Sequence, residues 1–293
     1  LDYENYFVRK GSIIYGGAKG SAFGIKVCLS DDTNILAVRA YRYVKVYQYS
    51  EDSSDWNQLG NIITTNTNGR SLAMSYDGNI VAVGSPEENK ICVYKYNNSN
   101  NSWEELGNTI EAPDPTISES RGRQLESNIN NFGESIDMSS SVSETSNSLN
   151  LNNINIVTSG TLEYTIYGYE IINSFVYRYN PDDNLWIKIS QSNISTADDY
   201  NFGFRYSYID DNIPHSNVSI SSDGKTIATS GISMDNGNIP AFVYVQEASS
   251  LNNLLSINIQ YDDVFVLPGF SLGDDVIKTK NNWNIYNGFE YDY

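Results

Sequence analysis

The residues able to do chemistry in this sequence are few and scattered. Its one histidine, His215, follows Pro214 in a polar stretch. A catalytic imidazole needs a nucleophile to activate and a partner to orient it. Neither can be identified in the sequence, and His215 reads as a loop residue ahead of a strand. The two cysteines, Cys28 and Cys92, lie in alternating apolar segments. They read as free thiols packed as small hydrophobes. A disulfide would need their Cα atoms within about 7 Å, which the sequence leaves open. With this complement, zinc sites and cysteine scaffolds lack ligands.

Carboxylates are abundant, with 36 Asp and Glu against 18 Lys and Arg. The pairs Asp77-Gly78 and Asp223-Gly224 suggest calcium loops, because hard cations take carboxylate and carbonyl oxygens. One Asp per turn falls short of the roughly six to eight oxygens calcium needs, so these read as type I′ hairpin turns. Glu51-Asp52 and Asp182-Asp183 read as solvated loops. Asp262-Asp263 and Asp274-Asp275 are the pairs best placed to hold a cation. Arg39, Arg42 and Arg70 are the nearest approach to an arginine cluster, too sparse to clamp a sugar carboxylate. No catalytic, cofactor-binding or metal-binding residue is therefore assigned, and calcium is the one cation with any candidate ligands. Sequons stand at Asn97, Asn100, Asn193 and Asn217, and the first two fall in a polar turn where a glycan fits.

The balance of the chain narrows its partners. Over 293 residues the formal charge is −18. Such a surface repels polyphosphates and anionic headgroups, which excludes a nucleic-acid binder. No apolar run approaches the roughly 18 residues needed to span a bilayer. The 23 tyrosines and 13% aromatic content separate the chain from acidic disordered sequences. No secretion signal is visible, and a start at Leu1 suits a mature or trimmed chain.

The elements that position these residues come from an internal repeat. Trp56-Asn57-Gln58-Leu59-Gly60-Asn61-Ile62-Ile63 recurs as Trp103-Glu104-Glu105-Leu106-Gly107-Asn108-Thr109-Ile110, an offset of 47 residues. Val44–Tyr49 recurs as Ile91–Tyr96 at 47, and Leu29–Val38 as Met74–Val83 at 45. A third copy carries Phe175–Tyr179 and Trp186, stretched by polar insertions read as loops near 111–130 and 141–153. A fourth carries Val218–Ala228 and Ala241–Val245 but no following Trp. Beyond it, 258–268 holds two candidate strands and 275–280 another, ahead of Trp283.

Each unit predicts four short strands. In the first, Ile25, Val27 and Leu29 alternate with Lys26, Cys28 and Ser30, setting the apolar face against a core. The second, Ile80-Val81-Ala82-Val83, is apolar throughout, as suits a strand covered on both faces. The third alternates Val and Tyr, and the fourth opens on Trp, read as packing between units. Four strands per repeat of 40–50 residues is the signature of a propeller blade. The expected fold is all-β: a single β-propeller domain over 1–293, built of four-stranded antiparallel blades. About five blades are expected, with six or seven as the alternatives. The ring closes where the N-terminal strand, Ser12–Gly16, joins strands from the C-terminus.

Phe23-Gly24, Asn131-Phe132-Gly133 and Asn201-Phe202-Gly203 each precede a first strand, and Gly84-Ser85-Pro86 closes a second one. Together these resemble FG-GAP repeats, the blades of integrin-α-like propellers, in a divergent S-x-D-G-x-x-x-A-V-G form. The resemblance covers most of residues 11–245 and implies the propeller fold. The D-x-D-x-D-G calcium loop of such blades is not in this sequence, so calcium sites do not carry over. The Asp-Gly turns also differ from sialidase Asp boxes, in which Asp and Gly are separated and Trp follows.

These readings imply a non-catalytic structural or protein-interaction propeller, extracellular, on a cell surface or on a particle such as a virion. Its partners would be proteins or further copies of itself. A carbohydrate-binding, lectin-like propeller is the alternative, and a glycan hydrolase or lyase comes third.

Overall fold

The computed structural model describes residues 8–17, 19–113, 117–120, 123–140, 149, 151–164, 169–194, 215–232 and 242–247. They form four antiparallel sheets, with short 3-10 turns at Pro86–Glu88 and Leu151–Asn153 and no α-helix among the described residues.

The first sheet runs β1 (Lys26–Leu29), β2 (Ile35–Arg39), β3 (Tyr43–Ser50), β4 (Asp55–Gln58), and β5 (Ile63–Thr64) also pairs with β3. Strands β4 and β5 are two halves of one outer strand, interrupted by Leu59-Gly60-Asn61-Ile62. The second sheet repeats the plan with β6 (Leu72–Met74), β7 (Ile80–Ser85), β8 (Lys90–Asn97), β9 (Ser102–Glu105) and β10 (Ile110–Glu111). The third holds β11 (Ile117–Ser120), β12 (Arg123–Asn130), β13 (Ile136–Ser139), β14 (Asn155–Tyr164), β15 (Tyr169–Asn180) and β16 (Leu185–Ile194). The fourth holds β17 (His215–Ile220), β18 (Thr226–Ile232) and β19 (Phe242–Glu247).

The sheets stack face to face in chain order, as the blades of a propeller do. The inner strands β1, β6, β13 and β17 neighbour one another in that sequence. Sheets one and two share a core of Ile35, Ala37, Val44, Val46, Leu72, Val81, Val83 and Trp103. Sheets two and three meet over Ile80, Ala82, Ile91, Val93, Phe132, Ile154, Ile156 and Phe175. Sheets three and four meet over Val157, Val176, Val218, Ile220 and Ile227. The strand read as covered on both faces is so: Ile80, Val81, Ala82 and Val83 are each 0% exposed.

Three readings need correction. Among the described residues the apolar face of β1 meets no core: Val27 and Leu29 are 55% and 53% exposed, while Cys28 packs toward sheet two. A blade has two faces, and alternation along a strand does not say which one finds a neighbour. The segment 111–130, read as a loop, carries β11 and β12 and the last residue of β10. Polar side chains do not bar a strand, because the ladder bonds are made by the backbone. Strand β12 pairs with the far half of β14, from Ser127 opposite Tyr164 to Asn130 opposite Thr161. His215 lies in β17 opposite Ile232, not in a loop. Of the second segment read as a loop, 141–148 and 150 lie outside the described residues, as do the candidate strands beyond 250 and Trp283.

Candidate interaction surface

The repeated tryptophans form the seams. Trp103 opens the outer strand of the second blade, and its Nε1 donates to the Leu59 carbonyl of the first at 2.9 Å. Its backbone N donates to Asn61 Oδ1 at 2.6 Å, and Gly60 N donates to Asn101 Oδ1 at 3.1 Å. Gly60 has φ +73°, and a β-carbon there would sit 2.8 Å from the Trp103 ring. Only glycine meets both demands. The next seam repeats this: Trp186 Nε1 to Leu106 O at 2.8 Å, Trp186 N to Asn108 Oδ1 at 2.7 Å, and Gly107 N to Asn184 Oδ1 at 3.1 Å. Asn101 and Asn184 hold left-handed turns two residues ahead of Trp, and each also accepts a tyrosine hydroxyl, from Tyr96 or Tyr179. The shared Asn-x-Trp spacing was the overlooked signal for them.

A third seam lies at the N-terminal side. Trp56 Nε1 donates to the Lys10 carbonyl at 2.9 Å, and Gly11, at φ +73°, lies under the ring. Asp55 Oδ1 receives both Ser12 N and Trp56 N, taking the part of the asparagine in the other seams. Residues 10–12 thus occupy the place of Leu59-Gly60-Asn61, the middle of an outer strand.

The Ser-x-Asp turns are closed on themselves. Asp77 Oδ1 accepts Ser75 Oγ at 2.7 Å and Asn79 N at 3.1 Å, and Oδ2 accepts Asn79 Nδ2 at 2.9 Å. Ser75 Oγ in turn accepts the buried Ile80 N at 2.9 Å. Ser30, Asp32 and Asn34 repeat the set, and Ser221, Asp223 and Lys225 repeat it with a lysine. Hydrogen bonds from Ser30 and Ser221 head the causes holding Asp32 and Asp223 below the usual carboxylate range. Gly78 alone of its turn has positive φ and its N donates to Ser75 O, so this is not the type I′ turn first read, which needs two such residues. These carboxylates are occupied by their own loops. Among the described residues no three His, Cys, Asp or Glu side chains gather to hold a metal.

Other polar groups tie blade to blade. Arg39 is 0% exposed; its Nε donates to Gly69 O at 2.6 Å and its Nη2 to Gly84 O at 3.0 Å, both on the second blade. Burial lowers its pKa to about 10. It does not form an arginine cluster, since Arg42 and Arg70 are exposed. The repeat offered a signal: Arg39 stands where the second copy has Gly84. Asp137 on β13 accepts Ser219 Oγ at 2.8 Å and Ile220 N at 2.9 Å from β17. Ser71 hydrogen-bonds Gly133 O across the next seam, and Ser174 meets Thr229 across the last.

The remaining candidates disperse. Cys28 and Cys92 are both free, and burial pushes the Cys28 thiol up to about 11. Asn97 and Asn100 both donate to Glu104 in the turn between β8 and β9. Asn217 is exposed on β17 and Asn193 lies on β16. Asp262-Asp263 and Asp274-Asp275 lie outside the described residues. A shallow hollow of about 270 Å³ is lined by Gln48, Tyr49, Ser50, Asn57, Gln58 and Leu59.

Among the described residues two sheet faces stay apolar and exposed. One carries Val27 and Leu29 on the first blade; the other carries Val243 and Val245 on the fourth, 73% and 61% exposed.

No protein-family model matches the chain, and neither does any curated protein. Solved structures do. A protein assigned as a 6-phosphogluconolactonase in Bacteroides uniformis matches at 11% identity and TM-score 0.36, over 75% of this chain and 54% of that one. The periplasmic gluconolactonase of Pseudomonas aeruginosa matches at 10% identity and TM-score 0.35, over 74% and 52%. The Dos1 propeller matches at 13% identity and TM-score 0.30, over 78% and 55%. The chain spans about half the length of these structures.

Proposed function

We propose that this chain is a non-catalytic structural or protein-interaction β-propeller, working outside the cell, on a cell surface or on a particle such as a virion. In this reading its repeats are divergent FG-GAP-like blades, about five in number, and the ring closes where N- and C-terminal strands share a blade. One observation carries the proposal. The polar side chains that the repeats supply most regularly, those of the Ser-x-Asp turns and the Asn-x-Trp seams, are consumed in holding loops and blades together. What a partner meets is the rest of the surface, and loops on a rigid scaffold are where binding resides. The charge of −18 favours a partner with a basic or neutral patch.

The test pairs two measurements on the full chain. Cross-linking with mass spectrometry and sedimentation should find a defined protein partner or multimer. A panel of glycoside and sugar-lactone substrates should show no turnover. Turnover of any of them, or a chain that stays monomeric and unpartnered, would overturn the reading. The lectin alternative draws on the amide- and tyrosine-lined hollow beside Tyr49, and saturable glycan binding lost on Tyr49→Ala would favour it.

A further inference from the structure

We propose that this chain associates head to tail with further copies of itself. The cationic end of its first seam, at Lys26, Arg39, Arg42 and Arg70, meets the carboxylates at the opposite end of the same strands in the next copy. The inference rests on the protein-interaction reading and names its partner, a second copy, and the two surfaces.

Charge is sorted by strand direction in the first blade. The β1–β2 and β3–β4 turns lie at one end of the sheet, and the β2–β3 turn at the other. At the first end stand Asp31 and Asp32 in one turn, Glu51 and Asp52 in the next, and Asp55 at the start of β4. Tyr49 N donates to Asn34 O at 2.8 Å, which sets the two turns side by side. Asp31 N donates to Tyr76 O at 3.0 Å, which adds Asp77 of the second blade. Lys10 also reaches this end, but its ammonium is held by Thr33 O and Asn34 Oδ1. At the other end Lys26 opens β1, Arg39 closes β2, and Arg42 lies in the β2–β3 turn. The bond from Arg39 Nε to Gly69 O brings Arg70 alongside, and Thr65 N donates to Arg42 O at 2.8 Å. From Thr33 to Ser50, and again from Trp56 to Tyr76, the sequence has no Asp or Glu. In a chain with 36 acidic residues against 18 basic ones, that absence sets a basic surface apart.

The cationic end lacks a counter-charge. Lys26 lies directly opposite Arg39 in the β1–β2 ladder, a like-charge pair that destabilises a sheet. Arg39 is fully buried, and its Nη1 has no hydrogen-bond partner although Nε and Nη2 are held. Among the described residues none of the four cations stands in an ion pair. Lys26, Arg42 and Arg70 are exposed and come from three different elements. They are spread over the end of the seam, whereas a clamp on one small anion converges. Several carboxylates in fixed places match that spread, and the chain's own opposite end supplies them, with Asp31, Glu51 and Asp52 all exposed. The two ends stand roughly 13 Å apart along β2, at about 3.3 Å per residue. That exceeds the Debye length of about 8 Å in physiological salt. Each end therefore shows its own sign to a neighbour in spite of the net −18. A contact between opposite ends is heterologous, and it repeats instead of closing on a pair.

The test is sedimentation of the full chain with two sets of exposed, shape-conserving substitutions. One set, Lys26→Gln with Arg70→Gln, neutralises the cationic end; the other, Asp31→Asn with Glu51→Gln and Asp52→Asn, neutralises the acidic end. Thermal midpoints within ~2 °C of the parent show that both variants fold. The unsubstituted chain should form a concentration-dependent series of multimers at physiological salt and disperse in about 1 M salt. Each variant alone should associate at least ~10-fold more weakly. A 1:1 mixture of the two variants keeps one intact contact, so it should give dimers and nothing longer. A parent that stays monomeric would overturn the proposal, as would multimers that both variants retain or a mixture that stays monomeric. Saturable binding of citrate to a monomer, lost on Lys26→Gln with Arg70→Gln, would overturn it too, since a small anion would then be the occupant. A monomeric chain that holds a different protein sinks this proposal and leaves the functional reading standing, so the two failures are distinguishable.

Discussion

The Trp103 indole lies over Gly60 of the preceding blade and donates to the carbonyl of its neighbour, Leu59. The contact joins a steric demand to a polar one, and each can be broken separately. Gly60→Ala adds a β-carbon at positive φ beneath the ring and should cost about 1–3 kcal/mol. Trp103→Phe keeps much of the apolar volume but strands the carbonyl, at about 1–3 kcal/mol. The two residues touch, so the double variant should lose less than the sum. Urea unfolding of the four proteins checks this.

The turn relays predict acid sensitivity. The carboxyls of Asp32 and Asp223 titrate below the ordinary value of 3.8 in the fold. A lowered folded pKa gives stability that is present above 3.8 and is lost as pH falls through the folded value. Ser30→Ala and Ser221→Ala remove the leading cause of each shift and should flatten stability against pH below about pH 4. Unfolding midpoints from pH 2 to 6 measure the slope.

Arg39 is a buried cation held by carbonyls rather than by a carboxylate. Arg39→Ala leaves two buried acceptors and a cavity, and should cost at least about 2 kcal/mol. Arg39→Lys should not rescue it, because one ammonium does not reproduce the guanidinium fork. Thermal melts of both variants decide whether geometry or charge matters.

The cysteines should be quiet. With its thiol pushed up to about 11, Cys28 presents little thiolate near neutral pH. Iodoacetamide at pH 7.5 should label it only after denaturation, and Cys28→Ser should leave the midpoint within a few degrees. Intact mass before and after urea is the measurement.

The repeat was legible because Trp56, Trp103 and Trp186 and the Val-Tyr strands recur in order. So was the core strand Ile80–Val83, whose lack of alternation implies cover on both sides. The seam partners were harder. Trp103 donates to a backbone carbonyl, which carries no residue identity, and Leu-Gly-Asn therefore looked like a spacer. Which face of β1 meets the second blade was harder for a related reason: Cys28 and Val27 both suit a buried face, and only the position of the neighbouring blade chooses between them. The strands within 117–130 escaped because ladder bonds ask nothing of side chains.

The Trp seam also has a direction. One repeat unit carries the plug, its Trp, and a few residues later the socket that receives the next plug. At this contact a unit fits any copy that keeps both parts, whereas the polar ties beside it, such as Arg39 to Gly69 and Gly84, belong to one seam each. The third copy, with Ile189-Ser190 in place of Leu-Gly, has lost the socket, and the fourth has no Trp at the matching place. Plug and socket vanish together, as parts of one inherited coupling would.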